Sequence, residues 1–431
     1  MSDFDLIVRS EQDIGISEGK IVALGQSLSG AATSEIDATK LSIFPGVIDA
    51  HVHFNEPGRT DWEGFASGSR AAAAGGTTTI FDMPLNSHPP TIDGASFDAK
   101  RAAAEQNSLV DFGLWGGLVP GNLAQLETLR DRGVVGLKAF MCESGIDDFP
   151  AVDRATLRAG MKRAAELDLL VAVHAEAGEL LGTALQGETV RDFLASRPIA
   201  VELAAIRTAL DLAQETGCRL HLVHVSCGRG VALVAEARAQ GVDATCETCP
   251  HYLFLTDQDM ARLGAVAKCA PPLRPQADQD ELWQRLDDVA TVGSDHSPSP
   301  WAMKEDPNFF RIWGGISGCQ HLLPLLLDAQ EKIPLQEIAR LTSSGVAERF
   351  RIPGKGGLQI GHDADLTLVD LSAGETVRAE ALHYRHRHTP YLGRRLRGRI
   401  VRTILRGGTI YEAGAVASRP RGLLVRPMRS P

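Results

Sequence analysis

The sequence has few cysteines, no long apolar run and no excess of positive charge, and each of these absences argues against a class of protein. Seven cysteines in 431 residues do not form a disulfide framework, so a reducing cytoplasm is the expected compartment. No run of about 18 apolar residues occurs, and no apolar h-region follows Met1, which argues against a membrane span and a secretory signal. The formal net charge of -10 argues against a dedicated nucleic-acid binder.

Short apolar runs that end near polar residues recur along the chain, separated by alanine-rich segments. The runs lie near Val47–His53, Thr77–Pro84, Leu109–Leu118, Val134–Met141, Leu169–His174, Leu220–Val225, Val242–Cys249 and Val289–His296. The intervening segments favour helices, for example Gly68–Ala74, Ala151–Glu166, Val201–Glu215 and Val231–Gln240. Eight strands alternating with helices over about 250 residues predict a (β/α)₈ barrel. A doubly wound sheet is the alternative, but the glycine-rich phosphate loop usual after its first strand is absent.

The two ends of the chain differ from this pattern. Residues 1–44 contain FDLIVRS and GKIVALG, and residues 357–414 contain GHDADLTLVD and IVRTILRGGTIYEAG, all of them short alternating segments. They predict one small β-sandwich built from both termini, made of residues 1–44 and 357–431, around a barrel of residues 45–356. The last residues, Ala417–Pro431, are expected to be a loose tail.

Polar side chains stand at the carboxyl ends of the predicted strands, where barrels of this kind carry their chemistry. They are His51, His53, Lys138, His174, His224 and Asp295. His51 and His53 are two residues apart on a strand and share a face, whereas alternation is expected to turn His221 to the face opposite His224. A lone buried histidine is more often a packed core residue than a ligand. Six polar groups at one mouth are harder to explain by packing, because burying them without partners costs free energy, so the pattern predicts a metal site.

Lys138 does not suit a metal site in its ordinary charge state. An amine with a pKa of about 10.4 is cationic at neutral pH and would be repelled by a divalent metal. It makes sense as a ligand only if its amine is chemically converted. Carbamylation by carbon dioxide would give an anionic, bidentate oxygen ligand able to bridge two metals.

Several specific motifs run along nearly the whole chain, from Ile21 to about Gly414. They are PGVIDAHVHFNEPGR, DMPLNSHPPT, GLKAFMCESGIDDFP, HLVHVS, ETCPHYL, KCAPPLRP, GSDHSP and GGLQIGHDADLTLVD. In these motifs the chain resembles the cyclic amidohydrolases, and most closely the allantoinases. The resemblance implies a metal-bearing (β/α)₈ barrel with a β-sandwich from both termini, and a homotetramer. It also implies that the six residues named above hold two divalent ions, with Lys138 carbamylated and zinc, cobalt, manganese or iron as the metal.

The resemblance further implies a reaction. Two divalent ions would hold a shared water and lower its pKa, and the hydroxide would attack a ring amide carbonyl. Asp295 would accept the proton and pass it to the departing ring nitrogen. In allantoinases the ring is that of allantoin and the product is allantoate. Some members of the superfamily have lost their ligands and serve as scaffolds or assembly subunits, but this chain keeps all six.

The choice of substrate depends on three positions. Dihydroorotases, which resemble this chain in EPGR and PPLR, bind their substrate's carboxylate with an arginine, an asparagine and a histidine where this chain has Asn55, Ala270 and Ser299. Asparagine cannot replace the bidentate clamp of a guanidinium. Allantoin lacks that carboxylate and is therefore the expected substrate. Hydantoinases and dihydropyrimidinases are the next alternatives.

Five positions are expected near the substrate. They are Asn55, Asn86, His251, Gly315 and Ile316. The amide of Asn86 can both donate to and accept from a ureido group, and the backbone at Gly315 and Ile316 is a second candidate. An ordinary loop turn at Asn86 and a packed side chain at His251 are equally compatible with the sequence.

Two further motifs are better explained by packing. Cys246 and Cys249 form one C-x-x-C, but a zinc site would need a second pair. His386 and His388 form a second His-x-His without a carboxylate in a strand-end position nearby. They are expected to line a surface or an interface.

Overall fold

The computed structural model describes residues 12–28, 30, 32–182 and 187–429 of the chain. The strands are β1 Asp13–Ser17, β2 Lys20–Gly25, β3 Ser42–Pro45, β4 Val47–Val52, β5 Thr77–Asp82, β6 Asp111–Leu114, β7 Gly116–Gly117, β8 Leu137–Phe140, β9 Leu170–His174, β10 Arg219–Leu222, β11 Ala244–Thr248, β12 Thr291–Val292, β13 Leu366–Thr376, β14 Arg395–Leu405, β15 Gly408–Glu412 and β16 Ala415–Val416. The helices are α1 Phe65–Ala74, α2 Gly94–Asn107, α3 Leu126–Arg132, α4 Arg154–Glu166, α5 Val190–Ser196, α6 Ile199–Thr216, α7 Gly228–Ala239, α8 Pro250–Phe254, α9 Asp257–Leu263, α10 Gln276–Gln284, α11 Leu322–Asp328, α12 Leu335–Ala339 and α13 Gly345–Arg349.

Strands β4 to β12 form a parallel barrel, which confirms the predicted fold class. Each strand pairs with the next along the chain, except that β6 and β7 follow each other in line. Strands β6 and β7 are one strand interrupted at Trp115, whose N–H donates to the Asp82 carbonyl of β5 before β7 pairs with β8. A parallel bridge between Val52 and His296 closes the ring.

Large apolar side chains fill the barrel interior. Phe350, which follows α13, packs edge-to-face against Phe81 and Trp115, with ring centroids 5.2 and 5.4 Å apart. The indole of Trp115 donates to the Ala50 carbonyl at 3.0 Å. This packing closes one end of the barrel and leaves the carboxyl ends of the strands for a cavity.

Helix α6 illustrates how an outer helix packs on the barrel. Its buried Val201, Ala205, Ala209 and Leu212 recur every three or four residues on one face. The helix ends at Gly217, whose φ of 67° is a left-handed conformation that glycine adopts without strain. Among the described residues, no helix is both long and apolar enough to cross a membrane.

Both ends of the chain contribute to a second, smaller β structure. Strand β3 pairs with β13 in a five-stranded antiparallel sheet ordered β16-β15-β14-β13-β3, and β1 pairs with β2 in a hairpin. Ile21 of the hairpin packs with Leu366, Leu368 and Ile404 of the sheet, which gives this structure a core of its own. The predicted segment FDLIVRS lies outside the described residues.

The expectation of a loose tail at the carboxyl end was wrong. The Phe112 N–H of β6 donates to the Leu423 carbonyl at 3.0 Å, and the Val425 N–H donates to the Phe112 carbonyl at 2.8 Å. Val425 packs on the apolar cluster inside the barrel, and the guanidinium of Arg429 donates to the carbonyl of Val134. Residues 421–429 are therefore docked along the barrel as an added extended segment.

Candidate metal centre

The six polar residues predicted from strand ends lie together at the carboxyl ends of the barrel strands. His51 and Lys138 are in β4 and β8, His174 ends β9, and His53, His224 and Asp295 follow β4, β10 and β12. The four histidines and Lys138 are at most 5% exposed, and the side chain of Asp295 is 14% exposed. Burying this many polar side chains without a ligand would carry a large desolvation cost.

Three of these residues form one potential ligand group. His51 Nε2 and His53 Nε2 lie 3.2 and 3.4 Å from the same oxygen of Asp295. The ligand atoms of all three residues lie within 4.8 Å of one another. Two imidazole nitrogens and a carboxylate at this spacing suit a divalent transition metal such as zinc.

The other three residues form an adjacent group. His174 Nδ1 and His224 Nε2 lie 3.0 Å apart, so both ring nitrogens point to one place. The Nζ atom of Lys138 is fully buried and has no hydrogen-bond partner among the described residues. The two groups lie next to each other, since the ring centroids of His51 and His224 are 5.4 Å apart. The donor set of both groups fits a pair of divalent ions, to which Lys138 would contribute only if its amine became anionic.

Burial governs the charge states in this cluster. It lowers the pKa of Lys138 to about 8, and it lowers the pKa of His53 and His174 below the usual value. Burial and the charge of Lys138 hold the pKa of His224 well below its usual range. Burial alone would raise the pKa of Asp295, but the charge of His51 and the hydrogen bond to His53 outweigh it and hold that pKa well below the usual range. Neutral imidazoles and an ionised carboxylate are the forms that bind metals.

Several residues of this region have left-handed backbone conformations. The φ values are 42° at His224, 45° at Asp295, 63° at Asn55 and 69° at Asn86. Such values cost about 1–3 kcal/mol for residues other than glycine, and they cluster at functional sites. Three of these four residues, Asn86, His224 and Asp295, line the cavity that opens over the cluster.

The expectation that His221 faces away from His224 was wrong. Strand β10 ends at Leu222, and the left-handed His224 interrupts the alternation of faces. His221 is fully buried in the barrel interior, with Nδ1 2.8 Å from the Thr245 hydroxyl and its ring 5.4 Å from that of Phe350. Both histidines therefore point inward, at different depths.

Two carboxylates that the sequence analysis missed contact the histidines. Glu247 lies 2.7 Å from His51 Nδ1, and Glu176 lies 2.8 Å from His174 Nε2. Burial would raise the pKa of Glu247, but the charge of His51 and the hydrogen bond with His221 lower it to about 2. An ionised acceptor on Nδ1 fixes the tautomer that leaves Nε2 of His51 free for a metal. The signal was an acidic residue at the end of the apolar run Val242–Cys249.

A cavity of about 310 Å³ opens over these residues. It is lined by all six predicted metal ligands and by Leu85, Asn86, Phe140, Glu143, Ser144, Gly145, Phe193, Arg197, Lys268, Cys269, Ala270, Ser297, Phe310, Arg311, Ile312, Trp313, Gly314 and Gly315. Of the five residues expected near substrate, Asn86 and Gly315 line the cavity. Asn55, His251 and Ile316 are buried beside it and do not reach its surface in the described part of the chain.

Asn86 and Gly315, the two predicted residues that line the cavity, already make hydrogen bonds with other parts of the chain. The side-chain amide of Asn86 lies 3.3 Å from His53 Nδ1, so it touches both the cavity and a histidine of the cluster. The N–H of Gly315 donates to the Lys268 carbonyl at 2.7 Å, and its carbonyl accepts from Lys304 Nζ at 2.8 Å. Asn86 is therefore the better placed of the two to contact a substrate.

The motifs explained by packing lie outside this cavity. Cys246 and Cys249 are buried in the main apolar core as free thiols. His386 Nε2 lies 2.8 Å from the Asp61 carbonyl, and His388 Nε2 lies 3.0 Å from the Ser299 carbonyl. The second His-x-His thus attaches the segment after β13 to two loops beside the cavity.

The chain matches one known protein family over most of its length. Residues 42–410 match the model of the Amidohydrolase family. The chain belongs to this family. Relatives with high identity carry one name: an allantoinase of Rubrobacter xylanophilus is 56% identical, over 100% of this chain and 99% of the relative. An allantoinase of Solibacter usitatus is 51% identical, over 96% of this chain and 93% of the relative.

Solved structures share the fold of this amidohydrolase. An L-hydantoinase (dihydropyrimidinase) from Arthrobacter aurescens superposes with a TM-score of 0.94 at 34% identity, covering 97% of this chain and 96% of that one. A D-hydantoinase (dihydropyrimidinase) from Thermus sp. superposes with a TM-score of 0.90 at 26% identity, covering 96% and 95%. The similarity in both cases extends over the barrel and the terminal β structure.

Proposed function

We propose that this amidohydrolase opens the ring of allantoin by hydrolysis of its cyclic amide and releases allantoate. The observation that carries the chemistry is the convergence of four histidines, an aspartate and a buried lysine under one cavity. The substrate is supported by the allantoinases that are 56% and 51% identical over nearly the whole chain. The reaction adds water across one C–N bond, so the products are a carboxylic acid and a freed ring nitrogen.

Two divalent ions, expected to be zinc with cobalt, manganese or iron as alternatives, would be held by the six residues at the cavity floor. His51, His53 and Asp295 offer one set of ligand atoms, and His174 and His224 offer another. When bound, such ions polarise the ring carbonyl and lower the pKa of a water molecule. The buried position of the cluster strengthens every electrostatic interaction in it.

Lys138 is proposed to carry a carboxyl group derived from carbon dioxide. A neutral amine attacks the carbon of CO₂, a C–N bond forms while one C=O π bond breaks and its electron pair moves to oxygen, and the nitrogen loses one proton to water, which gives an anionic carbamate. Among the described residues Nζ has no hydrogen-bond partner, which supports this assignment, because a buried cation without hydrogen bonds is costly and the carbamate instead brings two acceptor oxygens. The resulting ligand could face both histidine groups.

Asp295 is proposed to move the proton. Its carboxylate lies beside His51 and His53 and remains partly open to the cavity. It can accept the proton of the attacking water and deliver it to the ring nitrogen as the C–N bond breaks. Asn86 would orient the ureido group through an amide that both donates and accepts.

Hydrolysis of simpler hydantoins is the second candidate, favoured by the close superposition on an L-hydantoinase. A panel of both allantoin enantiomers, hydantoin and dihydrouracil, assayed with one metal-loaded preparation, separates the two. Allantoin is expected to give the highest kcat/KM, with allantoate as the product. Efficient hydantoin turnover without turnover of either allantoin enantiomer would assign the second function.

The same preparation tests the remaining alternative, a non-catalytic scaffold. Near-stoichiometric divalent metal in the purified protein supports a metal-dependent enzyme. Absence of metal after expression in metal-rich medium contradicts the enzyme function. We also expect a homotetramer, which sedimentation of the purified protein would test.

A further inference from the structure

One loop supplies much of the cavity wall without regular structure of its own. This cavity loop, residues 305–315, contributes Phe310, Arg311, Ile312, Trp313, Gly314 and Gly315 to the lining. No helix or strand occurs within it among the described residues. Its backbone carbonyls therefore need partners from elsewhere in the chain.

Lys268 supplies three of these partners. Its Nζ donates to the carbonyls of Phe309, Phe310 and Ile312 at 2.7, 3.2 and 2.5 Å. The ammonium also faces the rings of Phe193 and Phe309, 4.9 and 5.3 Å from their centroids. The residue is only 5% exposed.

Lys304 holds the second half of the cavity loop. Its Nζ donates to the carbonyls of Ala265, Trp313 and Gly315 at 3.3, 2.9 and 2.8 Å, and the residue is 3% exposed. The N–H of Gly315 in turn donates to the Lys268 carbonyl at 2.7 Å. The two lysines thus fix both ends of the stretch that faces the cavity.

Neither ammonium has a carboxylate partner among the described residues, whereas two other buried lysines, Lys100 and Lys355, do. Lys100 pairs with Asp82 at 2.6 Å, and Lys355 contacts three aspartates. Burial lowers the pKa of Lys268 to about 8 and that of Lys304 to about 7. Two buried cations whose hydrogen bonds go to backbone carbonyls, five of the six in residues 305–315, are costly, and structural packing alone could use apolar side chains at both positions.

We propose that Lys268 and Lys304 are positioning residues that set the shape of the cavity wall and thereby the binding of the cyclic substrate. The hydrogen bonds that the two lysines donate to loop carbonyls orient the peptide units of Phe310, Ile312 and Trp313. These apolar side chains face the substrate and exclude water from it. This assignment rests on the proposed function for its natural substrate, but the loop geometry can also be tested without substrate.

The test uses Lys268→Met and Lys304→Met, which keep the apolar stem and remove the ammonium. KM for allantoin is expected to rise about tenfold in each, since the loop loses the hydrogen bonds that order it and part of that ordering must then accompany binding. kcat and bound metal are expected to stay close to those of the wild type. Lys162→Met, at an exposed position of α4, is the matched control for loss of a lysine.

A second control separates positioning from simple destabilisation. Gly217→Ala strains the left-handed end of α6 and lowers stability away from the cavity loop, and it is expected to leave KM unchanged. Lys268→Ala adds a rescue experiment: n-propylammonium, which replaces the missing atoms, should lower KM again, whereas n-propanol should not. Unchanged KM in both Met variants, with metal retained, would overturn the proposal.

Hydrogen–deuterium exchange provides the readout that does not depend on substrate. Amides of residues 309–315 are expected to exchange faster in both Met variants than in the wild type and the two controls. If wild type fails to hydrolyse allantoin, the proposed function fails, and this exchange result alone decides the role of the lysines. Should the Met variants not fold, Lys268→Gln and Lys304→Gln, which keep an N–H donor, are measured in the same way. Unaltered exchange contradicts the proposal.

Discussion

Lys138 is the residue on which the proposed pair of ions depends most directly. In Lys138→Ala the proposed carbamate could not form, so we expect loss of bound metal and of activity. Short carboxylic acids added to the assay should restore part of the activity, because they supply the missing carboxylate. Metal analysis and allantoin kinetics measure both effects, with Lys162→Ala as the control. Activity of Lys138→Ala equal to that of the wild type would refute the assignment.

Asp295 is expected to matter for proton transfer more than for the fold. Asp295→Asn keeps the shape of the side chain and one oxygen ligand, so most of the metal and the unfolding temperature should be retained. Loss of general base catalysis should lower kcat by about 10²–10⁴-fold. Asp287→Asn, at an exposed position, is the matched control. Turnover within about tenfold of the wild type would show that another group carries the proton.

Glu247 is expected to act on metal affinity through His51. In Glu247→Gln the acceptor on His51 Nδ1 is no longer an ionised carboxylate, so the tautomer with a free Nε2 is less favoured. Loss of such a partner weakens metal binding by about 10–100-fold. Competition with a chelator measures this loss, and Glu236→Gln on the surface of α7 is the control. Equal retention of metal in both variants would show that Glu247 does not contribute to metal binding.

At the scale of elements, the regular part of the fold was predictable and the chain between elements was not. The eight apolar runs coincide with the barrel strands because buried parallel strands need continuous apolar residues. Strand alternation failed at His224, where a left-handed residue beyond the end of β10 changes the face. Within the cavity loop, only Gly315 was predicted to lie near the substrate. The hydrogen bonds from Lys268 and Lys304 to the loop carbonyls have no local sequence signal.

The docked carboxyl-terminal segment was missed for a related reason. A short segment rich in arginine and proline has no periodicity, and its partner is the edge of β6, far away in the sequence. Val425→Asp places a charge against the apolar cluster inside the barrel and should lower the unfolding temperature by several degrees, as expected for about 1–3 kcal/mol. Leu423→Asp, at a side chain that is 57% exposed, is the control and should have little effect. Equal melting of the two variants would contradict the docking.

At the scale of the whole molecule, a buried lysine joins the barrel to the terminal β structure. Lys355 Nζ lies 2.6 Å from Asp111 of β6, 2.9 Å from Asp363 and 2.6 Å from Asp365, just before β13. The docked segment meets the same point, where the Leu423 N–H donates to Asp111 at 2.8 Å. One charge network therefore couples three parts of the chain, and the motif GHDADLTLVD supplies two of its carboxylates.

The substrate preference of the whole site gives the last prediction. A dihydroorotase would hold a substrate carboxylate with three side chains, at the positions where this chain has Asn55, Ala270 and Ser299. The structure leaves no substitute at these positions: Asn55 is buried with its amide toward the Pro298 carbonyl, Ala270 lines the cavity with a methyl group, and Ser299 is fully buried.

A carboxylate bound at such a site would be desolvated without a partner, and because it is charged the cost exceeds that of a neutral group and reaches about 3 kcal/mol or more. Because about 1.4 kcal/mol corresponds to a factor of ten, kcat/KM for dihydroorotate should lie about two or more orders of magnitude below that for allantoin. Kinetics of both substrates with the same metal-loaded protein measure the ratio. Comparable efficiency would mean that a cation elsewhere in the cavity, such as Arg197 or Arg311, binds the carboxylate. The predicted preference for uncharged allantoin over dihydroorotate would then be wrong.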